Sequence, residues 1–286
     1  MTNQPELEYP ACPLCHSNNR KTSYSNFDGH DVVQCTDCAM CYLYPRLTEL
    51  EITRFYEQDS YYKGGESGYS DTGYSDQERA LKATFNKIVK NLNKRSLTGG
   101  ALLEIGCGFG YLLEEARPFF DHTVGTEFSA EGVRQSSAKA DEVYEGGAES
   151  LPPDSKFDCI IALQVIEHVY KPLEFIQKLA LHANPGCTIV LGTPDIGGML
   201  KKVMGRRWPS FKIPEHVLYF NNTTLSTLMK QAGLVDIKPL PYPHAFPLAL
   251  IASKFNIPMP TALGNINIWV PETSIALYGK VENGTG

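Results

Sequence analysis

The chain has 286 residues, of which 42% are hydrophobic and 20% charged, with a formal net charge of −6. This composition is ordinary for a globular protein, and the length fits one full domain with smaller additions, which excludes a largely disordered chain. Residues 1–45 hold five acidic residues against Arg20 and Lys21, so we expect no binding to nucleic acid.

The N-terminus MTNQPELEYP lacks the basic and apolar stretches of a signal peptide, and no run approaches the roughly 18 apolar residues of a membrane helix. We therefore expect a cytoplasmic protein without a transmembrane segment. In that reducing compartment, the eight cysteines are expected to be metal ligands or small buried side chains, and not disulfides.

Two Cys-x-x-Cys pairs lie near the N-terminus, with 19 residues between them. This spacing is typical of a zinc ribbon, because each short turn directs two sulfur atoms at one point and two such turns complete a tetrahedral site. The alternatives are free thiols or a redox pair. We predict a zinc-binding module over residues 1–45, with these ligands: Cys12, Cys15, Cys35 and Cys38.

Residues 46–78 form the next segment and are rich in tyrosine and glycine, including Tyr56, Tyr61, Tyr62, Tyr69 and Tyr74. Glycines permit hinge motion and tyrosines offer flat surfaces with a polar end, which favours a lid over a substrate. A surface linker explains the composition equally well, so both interpretations stay open. Apolar residues at helical spacing over residues 76–96 then predict a helix that leads into the main domain.

From Leu102 onward, short apolar runs alternate with helical patterns, which predicts a doubly wound α/β domain over residues 79–286. The predicted strands are ALLEIG, HTVGTE, FDCIIALQ and CTIVLGTP. A helix opens at Pro172 and is expected to close near Asn184. A later helix is predicted over residues 223–232, with Asn222 or Thr223 as its N-cap and Gly233 at its end.

The first strand of this domain ends in a turn with three glycines at alternate positions, Gly106, Gly108 and Gly110. Such a turn lets a ligand approach the backbone at the carboxyl edge of the sheet. Glu127 ends the next strand 17 residues later, where a carboxylate can bind the two hydroxyls of a ribose. The glycine spacing differs from the Gly-x-Gly-x-x-Gly of pyrophosphate sites and suits an adenosine ligand without phosphate.

With these motifs in order, residues 80–240 resemble the class I S-adenosylmethionine-dependent methyltransferase superfamily, in its small-molecule branch. The resemblance implies a Rossmann-like sheet and the cofactor S-adenosylmethionine. It also implies roles for individual residues. A glycine-turn group holds the methionine and ribose portions of the cofactor, and Glu127 binds the ribose hydroxyls. Phe128 packs on the adenine, Ala148 and Glu149 line the adenine pocket, and Gln164 faces the sulfonium. The glycine-turn group comprises Glu104, Gly106, Gly108 and Gly110. Cys107 and Cys187 depart from the family pattern without removing an implied ligand.

Five basic residues and no acidic residue occur within residues 201–212, just after a strand. The segment is either a solvated helix face or an anion-binding element beside the acceptor. It precedes Pro214-Glu215-His216-Val217-Leu218-Tyr219-Phe220, in which adjacent acid and histidine residues can form a tunable base.

The Cys pairs, the tyrosine-rich segment and this Glu-His motif together resemble deoxysugar C-methyltransferases and related enzymes of polysaccharide or lipid-linked precursors. The resemblance implies that His216 is the base, Glu215 its partner and a tyrosine of the lid a substrate ligand. Tyr219, in the same motif as His216, is a further candidate catalytic residue. An anchoring role for His216 is an equal alternative. Those sugar enzymes carry a further α/β domain after the catalytic one, whereas the sequence after Leu240 predicts an apolar insertion over residues 241–270 followed by a closing strand.

The sequence therefore predicts methyl transfer to carbon or oxygen of a small, anionic, carbohydrate-like acceptor by a monomer or homodimer. One alternative is an RNA methyltransferase, since some of these also begin with a Cys-x-x-Cys module, but the acidic N-terminal segment disfavours it. A second alternative is a non-catalytic protein whose zinc ribbon binds a partner. The intact glycine turn and Glu127 disfavour that interpretation.

Overall fold

The structure is a computed structural model that describes residues 5–57, 77–253, 263 and 266–282. Most of the tyrosine-rich segment predicted as a lid or linker lies outside the described residues, as does much of the second half of the 241–270 insertion.

The N-terminal part is antiparallel and is built around the two cysteine turns. Its longest strand pair runs from Arg20 to Cys35 with a tight reversal between Phe27 and His30. The strands are β1 (Leu7–Glu8), β2 (Arg20–Phe27), β3 (His30–Cys35), β4 (Cys41–Tyr44) and β5 (Arg46–Leu47), and helix α1 (Glu49–Glu57) follows. β1 pairs with β5, whereas β2, β3 and β4 form one sheet.

The main domain contains a seven-stranded sheet. In chain order, the first five strands of this sheet pair in parallel with one another. The sixth and seventh strands form one edge of the sheet through antiparallel pairs. The strands are β6 (Ala101–Ile105), β7 (His122–Glu127), β8 (Glu142–Glu145), β9 (Phe157–Leu163), β10 (Ala183–Pro194), β12 (Leu234–Pro239) and β15 (Ser274–Val281). In space their order is β12-β15-β10-β9-β6-β7-β8. The order of the strands reverses between β6 and β9, which opens a crevice at their carboxyl ends.

Helices cover both faces of this sheet. They are α2 (Glu78–Asn93), α3 (Tyr111–Ala116), α4 (Ala130–Ser136), α5 (Pro172–Leu181), α6 (Met199–Met204), α7 (Asn222–Gln231) and α8 (Leu248–Ser253). Short strands β11 (Leu218–Tyr219), β13 (His244–Pro247) and β14 (Asn267–Val270) lie outside the main sheet. The doubly wound architecture predicted from the sequence is thus confirmed.

Alternation along the central strands explains the two cores. Leu102 and Ile161 face α2 and α3, whereas Leu103 and Ile160 face α5 and α7. All four side chains are fully buried. Burying each such side chain stabilises the fold by about 1.5–3 kcal/mol, so a strand with both faces covered has a continuous apolar sequence.

Two predicted boundaries are wrong. The N-cap of α7 is Asn221, whose side chain accepts from the Thr224 backbone while the Thr224 hydroxyl accepts from the Asn221 N–H. This reciprocal capping box stabilises a start one residue before the first predicted cap, Asn222, and two residues before the second, Thr223. Helix α5 ends at Leu181, and Asn184 already belongs to β10, because Ala183 pairs with Phe157.

Strands β8, β12, β13 and β14 were not predicted. β8 is four residues long and only half-buried at a sheet edge, so its sequence EVYE carries no clear apolar alternation. The closing strand predicted at the C-terminal end is β15. Among the described residues, no helix is long and apolar enough to cross a membrane. The cytoplasmic location stays a prediction.

Candidate active site

The glycine turn lies between β6 and α3 at the carboxyl edge of the sheet. Gly106 and Gly110 have φ values of 69° and 73°, in the left-handed region that disfavours side chains. A Cβ atom on Gly106 would lie 2.9 Å from Cγ2 of Val165, and one on Gly110 would lie 2.9 Å from the backbone of Ser136. The turn is therefore closely packed from behind, and its conformation requires glycine at both positions.

Glu104 lies beneath this turn, at the end of β6. Its side chain is buried, and Oε2 has no hydrogen-bond partner among the described residues. Burial raises the pKa of this carboxyl well above its usual value, and the nearby Glu127 raises it further. A buried acceptor without a partner costs stability, and a cationic ligand above the turn would remove that cost.

Glu127 links the turn to the next strand. Its Oε2 accepts a hydrogen bond from the Gly108 backbone N–H at 2.8 Å, and its Oε1 accepts one from the Ser129 N–H, also at 2.8 Å. A carboxylate oxygen has more than one lone pair, so both oxygens can accept further hydrogen bonds from a ligand. The carboxylate is held by rigid backbone and is only partly exposed.

The remaining predicted cofactor residues lie along the same edge. Phe128 is 68% exposed, which leaves its ring available to stack on a ligand. Ala148 is buried, and exposed Glu149 accepts from the Gly147 N–H at 2.9 Å. Gln164 has a φ of 59°, and its Nε2 donates to the Ser274 hydroxyl at 3.4 Å. The structure thus places these residues after the carboxyl ends of β7, β8 and β9, along the same edge of the sheet as the glycine turn.

Tyr242 is a buried residue of this region that the sequence did not point to. Burial raises the pKa of its hydroxyl, the carboxylates of Glu167 and Glu104 raise it further, and the Gln164 side chain opposes the rise. Its ring also lies against β10, where a Cβ on Gly192 would be 2.9 Å from Cε1. Tyr242 therefore packs against β10 and is influenced electrostatically by both Glu104 and Glu167. A lone tyrosine in an apolar insertion gives no signal for this position.

A second cluster, which we call the acceptor cluster, consists of Glu167, His168 and His216. One ligand atom from each lies within 4.8 Å of the others, and the two imidazole rings meet edge-on with centroids 4.6 Å apart. Oε2 of Glu167 accepts from the Thr193 hydroxyl at 3.0 Å, whereas Oε1 has no hydrogen-bond partner among the described residues. A group of this composition can hold a proton or a divalent metal ion.

His216 is fixed by its backbone surroundings. Its Nδ1–H donates to the Ser210 carbonyl at 2.9 Å, and its own N–H donates to the Lys212 carbonyl at 2.7 Å. This tautomer leaves Nε2 as an acceptor. Burial lowers the pKa of His216 well below its usual value, and the charges of His168 and Lys212 lower it further, so the imidazole is neutral at pH 7.

The other two members of the cluster are also shifted towards neutrality. Burial raises the pKa of Glu167 to about 7, and a hydrogen bond from Thr193 opposes this rise. Burial lowers the pKa of His168 to about 4, and the charge of Lys212 acts in the same direction. Lys212 itself is exposed beside the cluster. Burial thus brings the cluster close to neutrality, with the charge of Lys212 acting on all three residues.

Glu215 and Tyr219 have different surroundings. Glu215 is buried next to His216, and its backbone carbonyl accepts a hydrogen bond from His168. Tyr219 is buried with its ring 5.4 Å from that of Phe211 and 6.4 Å from that of Trp208. Burial and then the Glu215 charge raise the pKa of the Tyr219 hydroxyl. Tyr219 thus packs in an aromatic group and is not part of the acceptor cluster.

The four N-terminal cysteines converge at one point. Sγ of Cys12 lies 3.5 Å from Sγ of Cys38, Sγ of Cys15 lies 3.5 Å from Sγ of Cys35, and all four sulfurs lie within 4.8 Å of one another. Tetrahedral zinc with Zn–S bonds of about 2.3 Å requires S–S separations of about 3.8 Å. The donor set fits zinc.

Comparison with known proteins identifies the family. A family model described as "Methyltransferase domain" matches residues 76–238, more than half of the chain. The chain belongs to this family. Together with the relatives and structural neighbours, this confirms the prediction of a class I S-adenosylmethionine-dependent methyltransferase.

Curated relatives include two ubiquinone biosynthesis O-methyltransferases. The one from Bradyrhizobium sp. (strain ORS 278) is 28% identical over 135 residues, which cover 45% of this chain and 49% of the relative. The one from Rhodopseudomonas palustris (strain BisA53) is 28% identical over 171 residues, or 53% of this chain and 67% of the relative. The chain thus spans about half of the length of the first of these relatives and two thirds of the second.

Solved structures share the fold at low identity. Magnesium protoporphyrin IX methyltransferase from Synechocystis PCC 6803, solved with bound S-adenosylhomocysteine, has a TM-score of 0.52 at 15% identity over 82% of this chain and all of that chain. A methyltransferase from Thermotoga maritima, described as a possible histamine N-methyltransferase, has a TM-score of 0.51 at 20% identity over 71% of this chain and 90% of that chain.

Proposed function

We propose that the glycine turn and its neighbours bind S-adenosylmethionine in the predicted arrangement. The buried, unpartnered oxygen of Glu104 suits the cofactor's ammonium group, and the rigidly held carboxylate of Glu127 suits two ribose hydroxyls. Exposed Phe128 would stack on the adenine, with Ala148 and Glu149 at its edge, and Gln164 would face the methyl-bearing end. When bound, the cofactor supplies an electrophilic methyl group on a sulfonium.

We propose that the acceptor cluster removes the proton from the methyl acceptor. His216 presents an unprotonated Nε2 in a buried position, so it can take a proton from an acceptor hydroxyl or an acidic C–H as the methyl group is transferred. The Ser210 carbonyl holds the ring orientation, and Glu215 would stabilise the protonated imidazole. The buried walls exclude water and keep both reactants aligned.

The proposed acceptor is a small, anionic, carbohydrate-like molecule, such as a nucleotide sugar or a lipid-linked or polysaccharide precursor. Exposed Lys212 supports an anionic acceptor, because its charge reaches all three residues of the cluster. A small phenol is the second candidate, favoured by the ubiquinone biosynthesis O-methyltransferases among the relatives. In either case the reaction is proton removal coupled to methyl transfer onto oxygen or carbon.

The single observation that carries this proposal is the buried, neutral His216, whose Nδ1 is held by the Ser210 carbonyl so that Nε2 is an acceptor, within the cluster with Glu167 and His168. The test incubates the protein with S-adenosylmethionine and, separately, nucleotide sugars, lipid-linked sugars and phenols, and measures S-adenosylhomocysteine. Product with a sugar or a phenol that requires His216 is the expected result. If His216→Asn methylates the same acceptor at the wild-type rate, the proposed role of His216 is wrong.

We also propose that the cysteine cluster holds one zinc ion per chain. Cys12→Ser should release the zinc and unfold the N-terminal sheet, since zinc binding and folding of such a site are coupled. Cys41→Ser is the matched control: Cys41 is as buried as a ligand but lies outside the ligand set, so zinc should stay. Elemental analysis of protein prepared without chelator checks both, and protein free of zinc would contradict the proposal.

A further inference from the structure

The N-terminal sheet extends directly into the segment that carries His216. Strand β11 pairs with β4 in the register Leu218↔Tyr42 and Tyr219↔Cys41, and the Leu43 N–H donates to the Val217 carbonyl at 3.0 Å. The order of this sheet is β11-β4-β3-β2, so a piece of the main domain forms its edge. β4 begins three residues after Cys38, so a metal ion held by Cys38 would restrict the movement of β4.

The same segment is bound on its other side to the acceptor cluster. The Val217 N–H donates to the Glu167 carbonyl at 2.9 Å. Val217 thus uses one backbone group for the N-terminal sheet and the other for the residue that carries a cluster carboxylate. A continuous line of hydrogen bonds runs from β4 through Val217 to Glu167, and His216 is the residue next to it along the chain.

A second contact converges on the same histidine. Ser210, whose carbonyl holds His216 Nδ1, is followed by Phe211, whose ring lies 5.1 Å from that of Tyr24 and 5.3 Å from that of Phe27. Both partners belong to β2 of the N-terminal sheet. Two of the groups around His216, the Ser210 carbonyl next to Phe211 and the adjoining Val217 backbone, are therefore linked to this sheet, whereas the Lys212 carbonyl is a third support.

The basic segment 201–212 takes part in this contact. The Lys201 ammonium lies 4.6 Å from the ring centroid of Tyr24, and the Arg206 guanidinium lies 4.6 Å from that of Phe27. Such cation–π contacts stabilise an interface. Lys201 and Arg206 are thus directed at the N-terminal sheet, whereas Lys212 is the basic residue of this segment whose charge acts on the acceptor cluster.

From these contacts we infer that the zinc-binding module is a positioning element for the acceptor cluster: zinc occupancy holds β4 and β2 in place, and through them the ring of His216 and the backbone of Glu167. The cofactor edge has other supports, since the glycine turn rests on Glu127, Ser136 and Val165. Loss of zinc should therefore impair acceptor methylation while S-adenosylmethionine binding persists. The inference rests on the proposed zinc binding and deepens the proposed function.

The experiment follows the backbone amides directly. Hydrogen exchange is measured at Leu43 and Val217, and at residues 101–110 as a reference, in zinc-loaded protein and after chelation. Affinity for S-adenosylhomocysteine is measured by calorimetry on both. We expect exchange at Leu43 and Val217 to accelerate at least tenfold on zinc removal, exchange at residues 101–110 to stay unchanged, and cofactor affinity to change less than twofold.

Phe211→Leu separates positioning from general loss of structure, because it should keep zinc and yet loosen the contact with Tyr24 and Phe27. Phe175→Leu is the matched control, another partly buried phenylalanine packed on the same core. With an acceptor that the protein methylates, Phe211→Leu should lower kcat about 10- to 100-fold, as a displacement of about 1 Å does, and leave KM for S-adenosylmethionine unchanged. Phe175→Leu should do neither.

Unchanged exchange at Leu43 and Val217 after zinc removal would overturn the inference, and so would a cofactor affinity that falls by the same factor as turnover. The exchange and affinity measurements need no acceptor. They therefore decide the inference even if no tested acceptor is methylated, whereas failure of the proposed acceptor chemistry would appear in the turnover measurement.

Discussion

The cofactor edge and the acceptor cluster are built in opposite ways. At the cofactor edge, backbone N–H groups from Gly108 and Ser129 hold the partly exposed carboxylate of Glu127, and Phe128 is exposed beside it. In the acceptor cluster, burial shifts the pKa of Glu167 to about 7 and that of His168 to about 4, so that the groups lose their charge. The first region is suited to bind a charged molecule, and the second to hold or release one proton.

This difference also appears along the chain. The cofactor edge draws on consecutive turns between residues 104 and 164, each at the end of a parallel strand. The acceptor cluster needs Glu167 and His168 from one turn, His216 from a distant loop, and backbone support from β4 near the N-terminus. A local motif can therefore specify the first region, whereas the second depends on the tertiary fold. Substitutions in the two regions should accordingly have separate effects on binding and on turnover.

The largest effect is expected at His216. His216→Asn should lower turnover about 100- to 10,000-fold, the usual contribution of a general base, because the amide that replaces the imidazole cannot accept a proton near neutral pH. The affinity for S-adenosylhomocysteine should stay within a factor of two. Single-turnover rates with saturating acceptor, together with calorimetry, check the two halves of this prediction.

His168→Asn provides the comparison for this substitution, since His168 shares the cluster but has no predicted role as the base. A larger loss for His168→Asn than for His216→Asn would mean that the proton transfer belongs to His168. A loss of cofactor affinity in His216→Asn would show that the two regions are not separate.

Glu127 is expected to have the next largest effect, confined to the cofactor. Glu127→Ala removes the charged acceptor that holds the Gly108 and Ser129 N–H groups and, as proposed, the ribose hydroxyls. The cost should be roughly 1–3 kcal/mol of binding free energy, the range for lost charge-assisted hydrogen bonds. Calorimetry with S-adenosylhomocysteine measures it, and an unchanged affinity would place the ribose elsewhere.

The cofactor edge could be predicted from the sequence because glycine turns and strand-end acids report backbone geometry directly. Gly106 and Gly110 have positive φ values that other residues avoid, so the spacing of the glycines is itself a signature of the turn. The position of Glu127 follows from the parallel register of β6 and β7, in which Ile105 is opposite Thr126. At this edge of the sheet, the residue types that shape the turn and the residue proposed to bind the ligand lie close together in the sequence.

The acceptor side was predictable only in part, for a physical reason. Glu215 and His216 could be singled out as an adjacent acid and base, but Glu167 and Tyr242 gain their significance only from burial and from neighbours far along the chain. The pairing of β11 with β4 joins residues more than 170 positions apart. No periodicity within either segment encodes that contact, so a sequence pattern cannot indicate it.

A smaller and pH-dependent effect is expected from Glu104. Burial and Glu127 raise its pKa, so in the free protein the carboxyl stays protonated to a higher pH than an ordinary glutamate. A cationic cofactor prefers the carboxylate, and binding should then release a proton. Affinity should consequently rise with pH, by at most about tenfold per unit, until the raised pKa is reached.

Calorimetry of S-adenosylhomocysteine binding in buffers of different ionisation enthalpy measures this proton release. Glu104→Gln should abolish the release and remove the pH dependence, since an amide does not titrate in this range. If wild-type protein and Glu104→Gln show the same proton release on binding across the pH range tested, Glu104 does not contact the ammonium group, and its unpartnered oxygen has another partner in the complex.

The smallest effect is expected at Lys212, at the rim of the acceptor cluster. Lys212 is exposed, and its charge reaches Glu167, His168 and His216. If the acceptor is anionic, Lys212→Gln should raise its KM about two- to fivefold, in line with the 0.2–1 kcal/mol of an exposed ion pair, and the increase should shrink at high salt.

Lys230→Gln is the matched control, because Lys230 is an exposed lysine at the end of α7, away from the cluster. A neutral phenol should show no increase in KM with either variant. An equal change in KM for charged and neutral acceptors would mean that Lys212 supports the loop of His216 and does not bind the acceptor.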